Sequence, residues 1–389
     1  GTDGMGLTGG TVPTTGGGTG GGTSGTGGTS GTGGTSGTTD GGTTDGGTSP
    51  TPLQNFTRGV SATPRSRISD VTSPSQMAVL NGRLYYIAGA LQTVGQSRLM
   101  SAPIVGSGTS VTLGTPVEVT ATVGSTESSD LVFPFGLVAD SNSLYISAGC
   151  NPESAVIGNG KIIKVSSPTV TGTAVSGTFT NLTAGITPPP TNPAFMFIRD
   201  SNLYWSQYSA SAGEVWRIPT AGGTAQRLAQ GLNLPAGIAT DGTNIVIANS
   251  GLNQILRIPL AGGTATTITA PGTGDIFRPF DVEYDGVSGF FITQGMALSE
   301  LDAVTSPLPI LYLPQGSGTN ARIAVNSVIR GSEIESVNLG SGKVGIVYAE
   351  GNPSQGRLMR AVVDVPVTSA ATPTQISTNL TLIPYGVLI

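Results

Sequence analysis

Residues 236–258 read Ala236-Gly-Ile-Ala-Thr-Asp-Gly-Thr-Asn-Ile-Val-Ile-Ala-Asn-Ser-Gly-Leu-Asn-Gln-Ile-Leu-Arg-Ile258. An apolar run ends at Asp241-Gly242, a second run follows at once, and a short loop leads to a third. Asp-Gly between two apolar runs is the turn chemistry of a tight hairpin. The stretch therefore reads as three successive antiparallel strands. The same order of elements recurs at Met77–Ile87 with Arg98–Ala102, and at Phe135–Ser147 with Lys161–Val165. It returns at Phe195–Trp205 with Glu214–Ile218, at Phe280–Thr293, and at Glu335–Tyr348 with Arg357–Ala361. Asn81-Gly82, Asp140-Ser141, Asp200-Ser201 and Asp285-Gly286 supply the matching turns. A fourth strand rich in Thr and Val commonly follows, as at Thr264–Ile268.

A unit of about 40–60 residues with four short strands, repeated without helical periodicity, is the signature of an all-β β-propeller. Leu203-Tyr204-Trp205 followed by Val215-Trp216-Arg217-Ile218-Pro219 resembles the YWTD and NHL propeller repeats. The continuation Thr220–Gly231 resembles bacterial propeller lipoproteins that carry Gly/Thr-rich linkers. The resemblance spans 53–389 and implies the fold. It implies little about activity, because propellers host enzymes, receptors and scaffolds alike.

Six units are complete, with strand-like sequence left at both ends. Ile383–Ile389, containing Tyr385, Val387 and Ile389, matches an innermost strand such as Leu234–Ala239. Asn55–Val60, containing Phe56 and Arg58, matches a third strand, and Arg67–Val71 fills the fourth place. A seventh blade shared by the termini would lack only its second strand. An open position would orphan backbone groups on two neighbours. The unassigned apolar cluster is Met5–Val12, with Met5, Leu7 and Val12, tethered by Gly and Thr. Donated to another copy, it would make head-to-tail contacts that build a filament, with the chain itself as partner. Tucked into its own blade it would give a monomer; a six-bladed ring with a loose C-terminal strand is the third arrangement.

The segment 1–50 holds 22 Gly and 16 Thr and no Lys, Arg or aromatic residue. Such a composition reads as a flexible linker. Its threefold phase, with Gly at 22, 25, 28, 31, 34 and 37, also suits an extended helix of three residues per turn. The Thr-rich tail is a candidate for O-linked sugars. Sequons stand at Asn55, Asn181 and Asn379.

Charged residues are 10% of the chain and the net charge is −5, which offers no electrostatic footprint for nucleic acid. No apolar run is long enough for a membrane span. A chain that opens at Gly1 with these features reads as an extracellular or cell-surface product after signal-peptide removal. There is no histidine, so imidazole catalysis and His-ligated metal sites are excluded. The streptogramin-lyase kind of propeller chemistry depends on histidine. Propellers of the gluconolactonase and paraoxonase kind hold Ca²⁺ with oxygen ligands. Asp281, Glu283 and Glu335 are the acids here that could do so, although solvated channel residues are their commoner reading. No catalytic residue and no resident cofactor are expected, and the chain reads as a structural subunit, not an enzyme. Phe195, Phe197, Trp205 and Trp216 fall in one unit, as a ligand platform or as packing between blades. Cys150 stands alone and reads as a buried inert thiol.

Overall fold

The computed structural model describes residues 77–88, 97–105, 112–150, 160–210, 212–269, 276–295, 306–316, 321–352 and 355–380. Among these residues there is no α-helix, and no helix is long and apolar enough to cross a membrane.

The architecture is a β-propeller of repeated four-stranded units. Blade 1 comprises β1 (Ala78–Leu80), β2 (Arg83–Ala88), β3 (Ser97–Val105) and, after the short β4 (Thr112–Leu113), β5 (Val117–Ala121). The short β6 (Asp130–Leu131) also pairs with β3. Blade 2 is β7 (Leu137–Ala139), β8 (Ser143–Ala148), β9 (Lys161–Thr171) and β10 (Ala174–Asn181). Blade 3 is β11 (Pro193–Arg199), β12 (Asn202–Gln207), β13 (Gly213–Pro219) and β14 (Gln226–Leu232). Blade 4 is β15 (Pro235–Thr240), β16 (Asn244–Asn249), β17 (Gln254–Pro259) and β18 (Thr266–Thr269). Blade 5 is β19 (Pro279–Tyr284), β20 (Gly289–Gln294), β21 (Leu308–Pro314) and β22 (Arg322–Val328). Blade 6 is β23 (Ile334–Gly340), β24 (Lys343–Asn352), β25 (Gln355–Asp364) and β26 (Thr374–Leu380).

Each blade is antiparallel and sequential, as the hairpin turns dictate. Asn81 and Gly82 both adopt positive φ (52° and 71°), the geometry of a type I′ turn that glycine tolerates best. Asp140, Asp241 and Asp285 close their turns differently. Each Oδ1 accepts N–H groups two and three residues ahead at 2.7–2.8 Å. Blades 1 and 2 depart from strict separation. Strand β5 pairs in parallel with β10 (Val119 against Val175) and fuses the two blades into one sheet. The outer edge of blade 2 is thereby covered.

The second strand of every blade is the buried one. Tyr85, Tyr145, Trp205, Ile247, Phe291 and Ile346 on these strands are all 0–1% exposed, buried on both sheet faces between neighbouring blades. The six blades confirm the six complete units read in the sequence. The further blade assigned to Phe56, Arg58, Tyr385, Val387 and Ile389 lies outside the described residues, as does the Met5–Val12 segment.

Candidate functional site

The innermost strands supply most of the chemistry-bearing side chains. Near the axis the packing is aromatic. Phe195 of β11 meets Phe135 edge-on at 5.0 Å and Phe280 of β19 at 5.2 Å, all three buried. Phe197 instead stacks on Tyr204 at 4.7 Å. The four aromatic residues grouped by the sequence thus divide: Phe195 packs toward the axis, while Trp205 and Trp216 stack on each other at 6.1 Å in the sheet of blade 3.

Asp281, Glu283 and Glu335 do come together, on the adjacent strands β19 and β23. Alternation along β19 places Asp281 and Glu283 on one face. Asp281 is buried, and its Oδ1 accepts the Val282 N–H (2.9 Å) while its Oδ2 accepts the Ile334 N–H of blade 6 (3.0 Å). Glu283 lies 3.2 Å from the Ser336 hydroxyl. Burial raises the pKa of all three acids. Glu335 raises Glu283 further by charge repulsion, and Asp281 raises Glu335. Among the described residues no group of three or more acid or thiol side chains is arranged to hold a metal ion. The two oxygens of Asp281 are turned onto backbone N–H groups and bolt blade 5 to blade 6. Glu335 also lines a cavity of about 260 Å³ with Glu333, Met77, Met196 and the strands β1 and β7.

Two recurring devices at the blade junctions were not singled out in the sequence. In the first, a hydroxyl at the fifth position of the second strand links blades. Ser147 Oγ accepts the Gly136 N–H (2.6 Å) and donates to the Ala194 carbonyl of blade 3 (2.9 Å). Thr293 Oγ1 accepts the Asp281 N–H (3.1 Å) and donates to the Ser332 carbonyl beside blade 6 (2.5 Å). In the second, the sixth position carries a side chain that holds the loop ahead of its own blade. Gln207 Oε1 accepts the Thr191 N–H, Asn249 Oδ1 the Asn233 N–H, and Gln294 Oε1 the Phe277 N–H, at 2.8–2.9 Å. In blade 6 a related contact comes from the eighth position of β24, where Glu350 Oε2 accepts the Ile329 N–H at 3.3 Å. The signal was present as the series Gln207, Asn249 and Gln294 at the sixth position of their strands.

Blade 3 also carries a cleft of about 300 Å³, lined by Trp205, Gln207, Glu214, Trp216 and Arg227 and by the segment 186–191. Glu214 is its polar centre. Oε2 accepts from Gln207 Nε2 (2.7 Å) and Trp216 Nε1 (2.8 Å), and Oε1 pairs with Arg227 Nη1 (2.9 Å). Cys150 is buried beside Phe135 and Phe195, where burial pushes its thiol up to about 12. Asn181 Oδ1 accepts from the N–H and hydroxyl of Thr183, both at 2.9 Å, so this sequon is folded onto itself.

No family model matches the chain, and no curated protein matches it. Solved structures do. The chain is similar to a streptogramin B lyase at 13% identity, over 80% of this chain and 85% of that one, with a TM-score of 0.50. It is also similar to virginiamycin B lyase from Staphylococcus aureus (11% identity, 80% and 96% covered, TM-score 0.46). A chain of the nidogen/laminin complex matches at 16% identity over 62% of this chain and 75% of that one, with a TM-score of 0.40. At these identities the likeness shows the fold alone, a β-propeller.

Proposed function

We propose that this chain is a structural subunit of an extracellular filament or surface assembly, joined by donation of its N-terminal strand to a neighbouring propeller. The observation that supports the reading is the strand count. The six described blades each have their four strands, and residues 53–76 and 381–389 hold sequence for three strands of one more. The apolar residues Met5, Leu7 and Val12, on a tether of Gly and Thr, suit the fourth position. Edge addition of this kind draws its affinity from main-chain hydrogen bonds and its specificity from alternate side chains. A chain with only 10% charged residues meets little repulsion on self-association. No catalytic step enters this reading.

Comparing the full chain with one lacking residues 1–50 by sedimentation velocity tests it. The full chain should form large species and the shortened chain should not, and a synthetic peptide of residues 1–14 should raise the melting temperature of the shortened chain. Assembly of the shortened chain to the same extent would refute strand donation. A surface-attached binding propeller on a Gly-rich stalk is the second reading, favoured by the cleft in blade 3.

A further inference from the structure

We propose that the cleft of blade 3 is a binding site for a neutral saccharide residue. The proposal is independent of how the subunits assemble. Trp205, Trp216 and Arg227 are cross-strand neighbours on β12, β13 and β14 and form one row on one sheet face. Gln207 and Glu214, also paired across β12 and β13, form a second row two residues along on that face. Facing both rows is the segment 186–191, with Pro188, Pro189 and Pro190. The result is a slot between the half-buried Trp216, which stacks on the buried Trp205 and carries the Arg227 guanidinium 6.0 Å from its ring centre, and the prolines, with a polar line along one side. Its volume of about 300 Å³ lies at the lower end of small-molecule sites, which run from about 300 to 1,000 Å³.

The electrostatics select the ligand class. Glu214 and Arg227 are the charged side chains among the lining residues, and they neutralise each other at 2.9 Å. A cationic ligand meets Arg227, and an anionic ligand meets Glu214; neither gains a net partner. The pair retains hydrogen-bonding capacity. A guanidinium has five donors, and one, on Nη1, is engaged with Glu214. Glu214 Oε1 accepts from Arg227 alone among the described residues, leaving room for a second donor. An acceptor and donors side by side match a group that both gives and takes a proton, which is the hydroxyl. Several hydroxyls on a ring with apolar faces describe a pyranose between indole and proline. Gln207 and Glu214 are held in place by the Thr191 N–H and the Trp216 N–H, so the polar line is preorganised.

The chain has two tryptophans and both line this cleft, so intrinsic fluorescence reports on it without interference from elsewhere. The test titrates the full-length protein with neutral hexoses and their oligosaccharides, with uronic acids and quaternary ammonium compounds in parallel. A saturable change in tryptophan emission with a neutral saccharide is expected, at concentrations up to about 10 mM. Arg227→Met should weaken it at least tenfold, with the far-ultraviolet circular dichroism and the unfolding midpoint little changed because this side chain is 48% exposed. Glu214→Gln, which keeps the acceptor but removes the charge, should weaken it less. No saturable change with any neutral saccharide would overturn the proposal. Tighter binding of the charged ligands, or an unchanged affinity in Arg227→Met, would do so as well.

Discussion

Replacing Thr293 by valine isolates the hydroxyl that ties blade 5 to blade 6. Valine has nearly the shape of threonine, so the packing of this fully buried side chain is retained. The β19–β20 ladder shifts register between Pro279 and Val282, and the bulge leaves the Asp281 N–H with the Thr293 hydroxyl as its partner. The same hydroxyl donates to the Ser332 carbonyl. Valine leaves the Asp281 N–H without that partner in a place water does not reach. An unsatisfied buried group costs about 1–3 kcal/mol, so Thr293→Val should lose about 1–3 kcal/mol. Blade 3 carries the matched control. Ser206 occupies the equivalent position on β12, is fully buried, and its hydroxyl makes no hydrogen bond among the described residues. Ser206→Ala therefore removes a polar atom that stabilises nothing and should be neutral or slightly stabilising. Urea unfolding followed by tryptophan emission and circular dichroism measures both. Equal losses in the two variants, or a Thr293→Val loss below about 0.5 kcal/mol, would refute the assignment of the hydroxyl as an inter-blade staple.

Other consequences are equally direct. Gly237→Ala on β15 would set a Cβ 2.6 Å from the Asp281 Cα and against its Oδ1, forcing blades 4 and 5 apart at a cost of about 1–3 kcal/mol in the same unfolding assay. Asp281 and Glu335 have folded pKa values of about 7 and about 8, above their unfolded values near 4, so the folded state holds protons that the unfolded chain releases. Their contribution to stability is fully present below the unfolded values and falls as pH rises through 7 to 8. Melting temperatures should therefore be higher near pH 5 than near pH 9, and Asp281→Asn should flatten that slope. Cys150, buried with its thiol pushed up to about 12, should resist alkylation in the native protein at neutral pH and react at the rate of global unfolding once denaturant is added. Labelling of the native state at the rate of a free thiol would contradict its place in the core.

The hairpins were legible because their chemistry is local. Asn81-Gly82 and Asp241-Gly242 fix their turns within four residues, and the apolar runs on either side fix the register. All six repeats sit where the sequence puts them. The pairing of β5 with β10 was not legible, because it joins residues more than fifty positions apart through backbone groups that leave no pattern in side chains. Strand β21 leaves no sequence signal for a related reason: Leu308–Pro314 begins more than a dozen residues after its hairpin partner ends, so no turn announces it. At the candidate sites, Trp205 and Trp216 were visible as residues, but the cleft depends on Pro188–Pro190 arriving from the preceding linker. The three acids were visible too, and proximity followed from their equivalent strand positions. The hydrogen bond from the Ile334 N–H to Asp281 was not legible, because only the packing of blade 6 against blade 5 sets it.

Negative-stain electron microscopy of the purified native chain reads out assembly through residues 5–12. Filaments with a globular repeat the width of one propeller are predicted, lost when residues 1–14 are deleted and the ring remains folded. Uniform single rings at every concentration of the full chain would contradict it.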